Sequence, residues 1–133
     1  MSNEVNVGDV LKPFSITAKP EAMKDWAVFL RDPNPIHLDV EVVKAKGLGD
    51  RVINQGPMNV AFIMNMLLDN FPGAVIKSMD SRFVDNVYGN DDVISNGTVT
   101  QIEDTNDGKM VHCEINLTAG ERTVITGVAT VQI

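Results

Sequence analysis

An acidic side chain and an imidazole lie five residues apart in the segment Asp32-Pro33-Asn34-Pro35-Ile36-His37. A carboxylate beside a histidine can hold a water molecule and transfer protons near neutral pH. The two prolines stiffen the loop, so the two side chains would keep a fixed relation before any substrate binds. The same spacing is also typical of a helix end followed by a structural histidine, so by itself it leaves both interpretations open.

The second chemical feature is the segment Asn54-Gln55-Gly56-Pro57, which has the composition of a helix start with proline in the first turn. Unsatisfied N–H groups at a helix N-terminus lie at the positive end of the helix dipole, and Gly56 has no side chain to obstruct a ligand. Such an N–H can polarise a carbonyl oxygen that gains negative charge in a transition state. An ordinary glycine before an N-terminal proline is the alternative.

Three helices are predicted around these features. Apolar residues recur every three to four positions from Pro20 to about Asp32, which indicates an amphipathic helix ended by Pro33. Asp39 is predicted to cap a short helix over residues 40–46. The segment over residues 57–68 is apolar nearly all round, so this helix should be enclosed by protein on most sides.

The rest of the chain is predicted to be strands, over residues 10–17, 74–79, 82–87, 92–103, 109–118 and 123–133. The alternation is clearest where Val111, Cys113 and Ile115 interleave with polar residues. A long apolar helix followed by an antiparallel meander predicts a two-layer α+β fold. We therefore expect a hot-dog fold, with the sheet wrapped around the helix over residues 57–68, in one domain spanning residues 1–133.

Composition limits the classes of partner. The 133 residues carry a net charge of −7, which disfavours binding to the phosphate backbone of nucleic acids. The longest apolar run, residues 60–68, is about half of the roughly 20 residues that a membrane span requires. One cysteine and the lack of a leader-like pattern in residues 1–10 predict a cytoplasmic protein.

Asp32, His37 and Asp39 have side chains of the types that bind metal ions. No second histidine is near them in the sequence, and the stiff loop already has an acid–base explanation. We expect no metal and no cofactor.

Residues 29–39 resemble the hydratase signature Gly-Asp-x-Asn-Pro-x-His-x-Asp of the MaoC-like and (R)-specific enoyl-CoA hydratases. The family's central helix typically opens on a His-Gly step, and residues 82–91 resemble one of its later strands. The likeness extends over nearly the whole chain. It implies a homodimer of hot-dog subunits that adds water reversibly across the double bond of a trans-2-enoyl thioester.

The resemblance also implies roles for individual residues. Asp32 and His37 would hold and deprotonate the water and return a proton to the α-carbon. The Gly56 N–H would bind the thioester oxygen, and Asn34 would brace the loop.

This chain departs from the family pattern at three places. Arg31 replaces the glycine that usually precedes the catalytic aspartate, and Gln55 replaces the histidine before Gly56. Met64 or Asn65 lies where some (R)-specific hydratases have a serine.

The substrate is expected to be an acyl-CoA or an acyl carrier protein thioester. Beyond Asn34, the candidate substrate-binding residues are Gln55, Met58 and Asn59 at the helix start, and Lys44, Lys46 and Arg51 as cations for the CoA phosphates. Two other functions stay open: a hot-dog thioesterase, and a non-catalytic subunit that binds acyl thioesters.

Overall fold

The structure is a computed structural model that describes residues 4–133. Its elements in chain order are β1 (Phe14–Thr17), α1 (Pro20–Leu30), a 3-10 turn (Pro35–His37), α2 (Val40–Ala45), α3 (Gly56–Asn70), β2 (Val75–Phe83), β3 (Asp92–Thr105), β4 (Gly108–Ala119) and β5 (Arg122–Gln132). The prediction that residues 1–10 contain no leader falls partly on residues 1–3, which lie outside the described residues.

The five strands form one antiparallel sheet in the order β1-β3-β4-β5-β2. Helix α3 packs on it and buries a wide face, as its apolar composition predicted. The buried residues of α3 are Met58, Asn59, Phe62, Ile63, Met66 and Leu67. The predicted α+β architecture, a sheet with a long apolar helix against it, is the one observed.

The predicted helices are present with small changes in their ends. Helix α1 begins at Pro20, has Glu21 in its first turn and buries Met23. It ends at Leu30 because Arg31 adopts a left-handed main-chain conformation, with φ 53° and ψ 40°.

The division of β2 into two strands is wrong. The sequence predicted strands over residues 74–79 and 82–87, whereas one strand runs from Val75 to Phe83 and residues 84–91 form a loop. The polar pair Asp80 and Ser81 resembles a turn in sequence, but both residues continue the pairing with β5. Asp80 is exposed to solvent, as a charged residue on an edge strand can be, whereas the hydroxyl oxygen of Ser81 is buried.

The first strand is shorter than predicted. Strand β1 covers Phe14–Thr17, and Val10 makes only an isolated bridge to Thr98. Pro13 lies between them and has no N–H to donate to a ladder, which explains why the strand is not continuous over residues 10–17.

Close contact between α3 and the sheet depends on Gly97. A Cβ atom at this position would lie 2.9 Å from Leu11 Cδ1 and 3.1 Å from Met66 Cε. Val111, Cys113 and Ile115 of β4 are buried, so the predicted alternation of β4 is confirmed. Burial raises the pKa of the Cys113 thiol to about 11.

Candidate functional site

His37 and Asp32 come together at the end of the two-proline loop. His37 is buried, and its Nδ1 lies 2.6 Å from the carbonyl oxygen of Ile53. Its Nε2 lies 3.6 Å from Oδ2 of Asp32, whose side chain is 41% exposed. A carbonyl oxygen only accepts hydrogen bonds, so Nδ1 carries the proton of the neutral ring. The Nε2 lone pair therefore faces the Asp32 carboxylate.

The loop that carries these two groups is held by its own polar side chains. The Asn34 N–H donates to Asp32 Oδ1 at 3.2 Å, and Asn34 Oδ1 accepts from the Ile36 N–H at 3.3 Å. Asp39 Oδ1 accepts from the Glu41 N–H at 2.9 Å and so caps α2, as predicted. Asx turns of this kind fix the loop locally, through contacts between residues two positions apart.

The segment of residues 52–55 links this loop to the second feature. The Ile53 N–H donates to the Ile36 carbonyl at 2.9 Å, and the Ile53 carbonyl accepts from His37. Three residues later the chain enters α3 at Gly56. One short segment therefore orients the imidazole and begins the helix.

The Gly56 N–H lies at the N-terminus of α3 and has no hydrogen-bond partner among residues 4–133. The Gln55 carbonyl accepts from the N–H groups of Met58 and Asn59, at 3.1 and 3.2 Å. A Cβ atom on Gly56 would lie 3.6 Å from the ring of Phe83, which is 51% exposed. The helix start therefore has an unpaired N–H donor, that of Gly56, close to the Phe83 ring.

Gln55, Met58 and Asn59 are all buried at this helix start. Gln55 Nε2 donates to the Met23 carbonyl at 2.8 Å, which ties the start of α3 to α1. Asn59 Oδ1 accepts from Asn54 Nδ2 at 2.7 Å. Contact of these residues with a substrate stays a prediction.

The three predicted phosphate-binding cations differ in their surroundings. Lys44 Nζ lies 3.6 Å from the carboxylate of Glu41, and Arg51 Nη1 lies 2.8 Å from that of Asp91. Lys46 is exposed and makes no ion pair in the part of the chain that the structure describes. Two of the three cations are thus partly neutralised by neighbouring carboxylates.

Two kinds of feature are absent from residues 4–133. Residues 4–133 contain no group of three or more His, Cys, Asp or Glu side chains placed to hold a metal ion. No helix in the same part of the chain combines the length and apolarity that a membrane span requires.

Sequence reasoning missed two features near the site. It gave no role to the Phe83 ring, although Phe83 belongs to the strand included in the family resemblance. It also missed Asp91, which binds Arg51 and Arg122. No spacing rule would connect these three residues, since Arg51 lies 40 positions from Asp91 and Arg122 lies 31 positions from it.

The sheet and its enclosed helix define the hot-dog class, which confirms the predicted fold. A family model described as "MaoC like domain" matches residues 3–121. The chain therefore belongs to the MaoC-like dehydratase domain family, as the resemblance indicated.

Relatives and solved structures agree with this assignment. A mitochondrial 3-hydroxyacyl-(acyl-carrier-protein) dehydratase of Arabidopsis thaliana is 27% identical over 130 residues, covering 91% of this chain and 77% of the relative. The mitochondrial dehydratase FERN of Solanum lycopersicum is 29% identical over 94 residues, or 71% of this chain and 56% of the relative. The (R)-hydratase from A. caviae involved in PHA biosynthesis superimposes with a TM-score of 0.88 at 21% identity, covering 99% of both chains.

Proposed function

We propose that this protein catalyses the reversible hydration of a trans-2-enoyl thioester to a 3-hydroxyacyl thioester. The observation that carries the proposal is the His37 Nδ1 to Ile53 carbonyl contact of 2.6 Å, which directs the Nε2 lone pair towards Asp32. The 3.6 Å separation of Nε2 and Asp32 Oδ2 exceeds a direct hydrogen bond and leaves both atoms able to bind one water.

In the hydration direction, Asp32 and His37 bind the water, and its oxygen forms a bond to the β-carbon while one of its protons passes to the pair. The π electrons of the double bond shift towards the thioester oxygen, whose negative charge the Gly56 N–H stabilises. The α-carbon then takes a proton from the pair, the thioester carbonyl re-forms and the pair returns to its initial protonation state. Dehydration follows the same steps in reverse.

The test is hydration of crotonyl-CoA and longer enoyl-CoAs, followed by loss of the enoyl absorbance. Asp32→Asn and His37→Asn should each lower kcat by about 10²-fold or more, because each removes an acid–base group. His112→Asn is the matched control, since His112 lies on β4 beside Glu103 and should not contribute to the rate. Full rates in the Asp32 and His37 variants would overturn the proposal.

The same assay separates the alternative functions. A thioesterase would release free thiol while the enoyl absorbance persists, and a non-catalytic subunit would bind the acyl thioester without turnover. Either result would replace hydration as the function of this site.

We infer that CoA is the carrier, with Lys44, Lys46 and Arg51 close to its phosphates. The exposure of Lys46 and the 46% exposure of the Arg51 side chain support this inference. The names of the plant relatives specify an acyl carrier protein. Comparing kcat/KM for CoA and acyl carrier protein thioesters of one enoyl chain decides between them, and a preference for the protein thioester would contradict the inference.

The cytoplasmic location also stays a proposal. The buried, unpaired Cys113 is compatible with a reducing compartment. Both plant relatives are described as mitochondrial, so imaging of the tagged full-length protein in its native host is the direct test.

A further inference from the structure

One carboxylate, that of Asp91, binds two guanidinium groups and one backbone amide. Asp91 Oδ1 accepts from Arg51 Nη1 at 2.8 Å, and Oδ2 accepts from Arg122 Nη2 at 2.8 Å and from the Tyr88 N–H at 2.9 Å. The Asp91 side chain is only 12% exposed. Charge-assisted hydrogen bonds to a largely buried carboxylate are among the stronger polar contacts in a protein.

Both arginines also contact the loop of residues 84–91. The Cζ atoms of Arg51 and Arg122 each lie 5.3 Å from the centre of the Tyr88 ring, within cation–π range. Arg51 Nη1 donates to the Gly89 carbonyl at 3.1 Å, and Arg122 Nη1 donates to the Asn86 carbonyl at 3.0 Å. Asp91 thus binds two arginines, and each arginine donates a hydrogen bond to a different carbonyl of this loop.

The loop in turn holds the segment of residues 52–54. The Gly89 N–H donates to the Val52 carbonyl at 2.8 Å, and the Asn54 N–H donates to the Val87 carbonyl at 2.7 Å. Ile53 points its polar groups to the opposite side, towards Ile36 and His37. The segment is therefore hydrogen-bonded on both sides, as a strand is, with the loop on one side and the imidazole on the other.

We infer that Asp91 is a positioning residue that fixes the protonated nitrogen of His37. It acts through the loop of residues 84–91 and the Ile53 carbonyl, and it touches none of the proposed reacting atoms. Its expected effect on turnover rests on the proposed function, whereas its effect on the imidazole does not.

The substitution Asp91→Asn tests this role because it keeps the shape and removes the charge. The guanidiniums of Arg51 and Arg122 would then lack their shared counter-charge. Among residues 4–133, Arg122 would keep a second carboxylate, Asp85 at 3.1 Å, and Arg51 would keep none. Loss of the largely buried carboxylate leaves two partly exposed guanidiniums without their shared counter-charge, which is unfavourable. The loop should then loosen its hold on Ile53, and the acceptor of the His37 Nδ1 proton should move.

The experiment reads the imidazole directly by ¹⁵N NMR at about pH 8.5, where an ordinary histidine is neutral. The chain has two histidines, so a His112→Asn background leaves the His37 signals alone. The unsubstituted protein should show the Nδ1–H form with slow exchange of the ring proton. Asp91→Asn should accelerate that exchange about 10-fold or more and populate the other tautomer, and Asp91→Glu should restore part of the protection.

Turnover supplies the second measurement. In Asp91→Asn, kcat should fall about 10-fold, because misplacement of an acid–base group affects the chemical step. Asp85→Asn is the matched control: it removes a carboxylate from Arg122 but leaves Asp91 in place, so tautomer and kcat should be unchanged.

The outcomes separate this inference from the proposed function. If the unsubstituted protein does not hydrate enoyl thioesters but Asp91→Asn still frees the His37 proton, the positioning role stands and the proposed function fails. If Asp91→Asn folds and leaves tautomer and exchange unchanged, the inference is wrong. Should Asp91→Asn not fold, Arg51→Gln removes one of the two cation contacts and must accelerate exchange; unchanged exchange in that variant also overturns the inference.

Discussion

Arg31 occupies a backbone conformation that L-residues adopt at a cost. Its φ of 53° lies in the left-handed region, and its N–H closes α1 by donating to the Ala27 and Val28 carbonyls. The related hydratase signature has glycine at this position. The family pattern therefore has a conformational explanation, and the departure at Arg31 acts on the backbone immediately before Asp32.

Arg31→Gly should raise the free energy of unfolding by about 1 kcal/mol, because glycine removes the left-handed strain. The measurement is the midpoint of urea denaturation. Arg31→Ala removes the same charge but keeps the Cβ atom, so it should give no such gain. Equal stabilisation by alanine and glycine would show that the charge, not the conformation, sets the cost.

Gly56 gives the second prediction at this scale. A Cβ atom there would make only ordinary contact with Phe83, at 3.6 Å, so Gly56→Ala should fold with nearly unchanged stability. The methyl group would narrow the approach to the Gly56 N–H, and kcat/KM should fall about 10-fold or more. An unchanged kcat/KM would contradict the proposed role of this N–H.

Gly97→Ala is the complementary substitution. Its Cβ would press on Leu11 and Met66 inside the core, so it should lower the free energy of unfolding by about 1–3 kcal/mol. Comparing the two alanine variants distinguishes obstruction at the site from overpacking below α3.

At the scale of elements, the edge strand β2 is important because it ends at Phe83, beside the start of α3. Ser81 of β2 is opposite Gly127 of β5, where the two backbones approach closely. A Cβ atom on Gly127 would overlap the carbonyl oxygen of Asp80. The pairing of β2 with β5 therefore requires glycine, which has no side chain, at position 127.

Gly127→Ala should lower the free energy of unfolding by about 1–3 kcal/mol, because the backbone atoms of β2 must move away. Urea denaturation gives the value, and protection of β2 amides from hydrogen exchange should decrease first. Ser78→Ala, on an exposed part of the same strand, should change stability by less than about 0.5 kcal/mol. Similar stability of both variants would show that the strands can separate at no cost.

At the scale of the molecule, the sheet leaves β2 with one free edge. Strand β2 is last in the sheet order, and Val75, Phe83 and Val84 along it or next to it are about half exposed. Unpaired strand edges flanked by apolar side chains tend to pair with another chain. The homodimer that the resemblance implies would cover this edge.

Light scattering at micromolar concentration should give twice the mass of the chain. Introducing Val75→Lys and Val84→Lys together should shift the protein to the monomer, because lysine discourages edge pairing. Val28→Lys is the control: Val28 is 80% exposed on α1, and its substitution should leave the dimer intact. A monomeric mass for the unsubstituted protein would contradict the prediction.

The sequence by itself determined the features that depend on short separations. Proline spacing predicted the stiff loop of Asp32 and His37, apolar periodicity predicted α3, and alternation predicted the inner face of β4. These patterns can be recognised because helices and strands place residues at short, regular spacings on one face. The same local logic misdivided β2, since a polar pair on an open edge resembles a turn.

Only the tertiary structure decided which groups meet across long separations. Ile53 fixes the His37 tautomer from 16 positions away, Gln55 binds Met23 32 positions back, and Arg51 meets Asp91 40 positions on. Such contacts follow from how the loops pack against α3 and the sheet, and no periodicity records that packing. The sequence therefore singled out Asp32 and His37 as the proposed acid–base residues, while the fold determined which nitrogen of His37 faces Asp32.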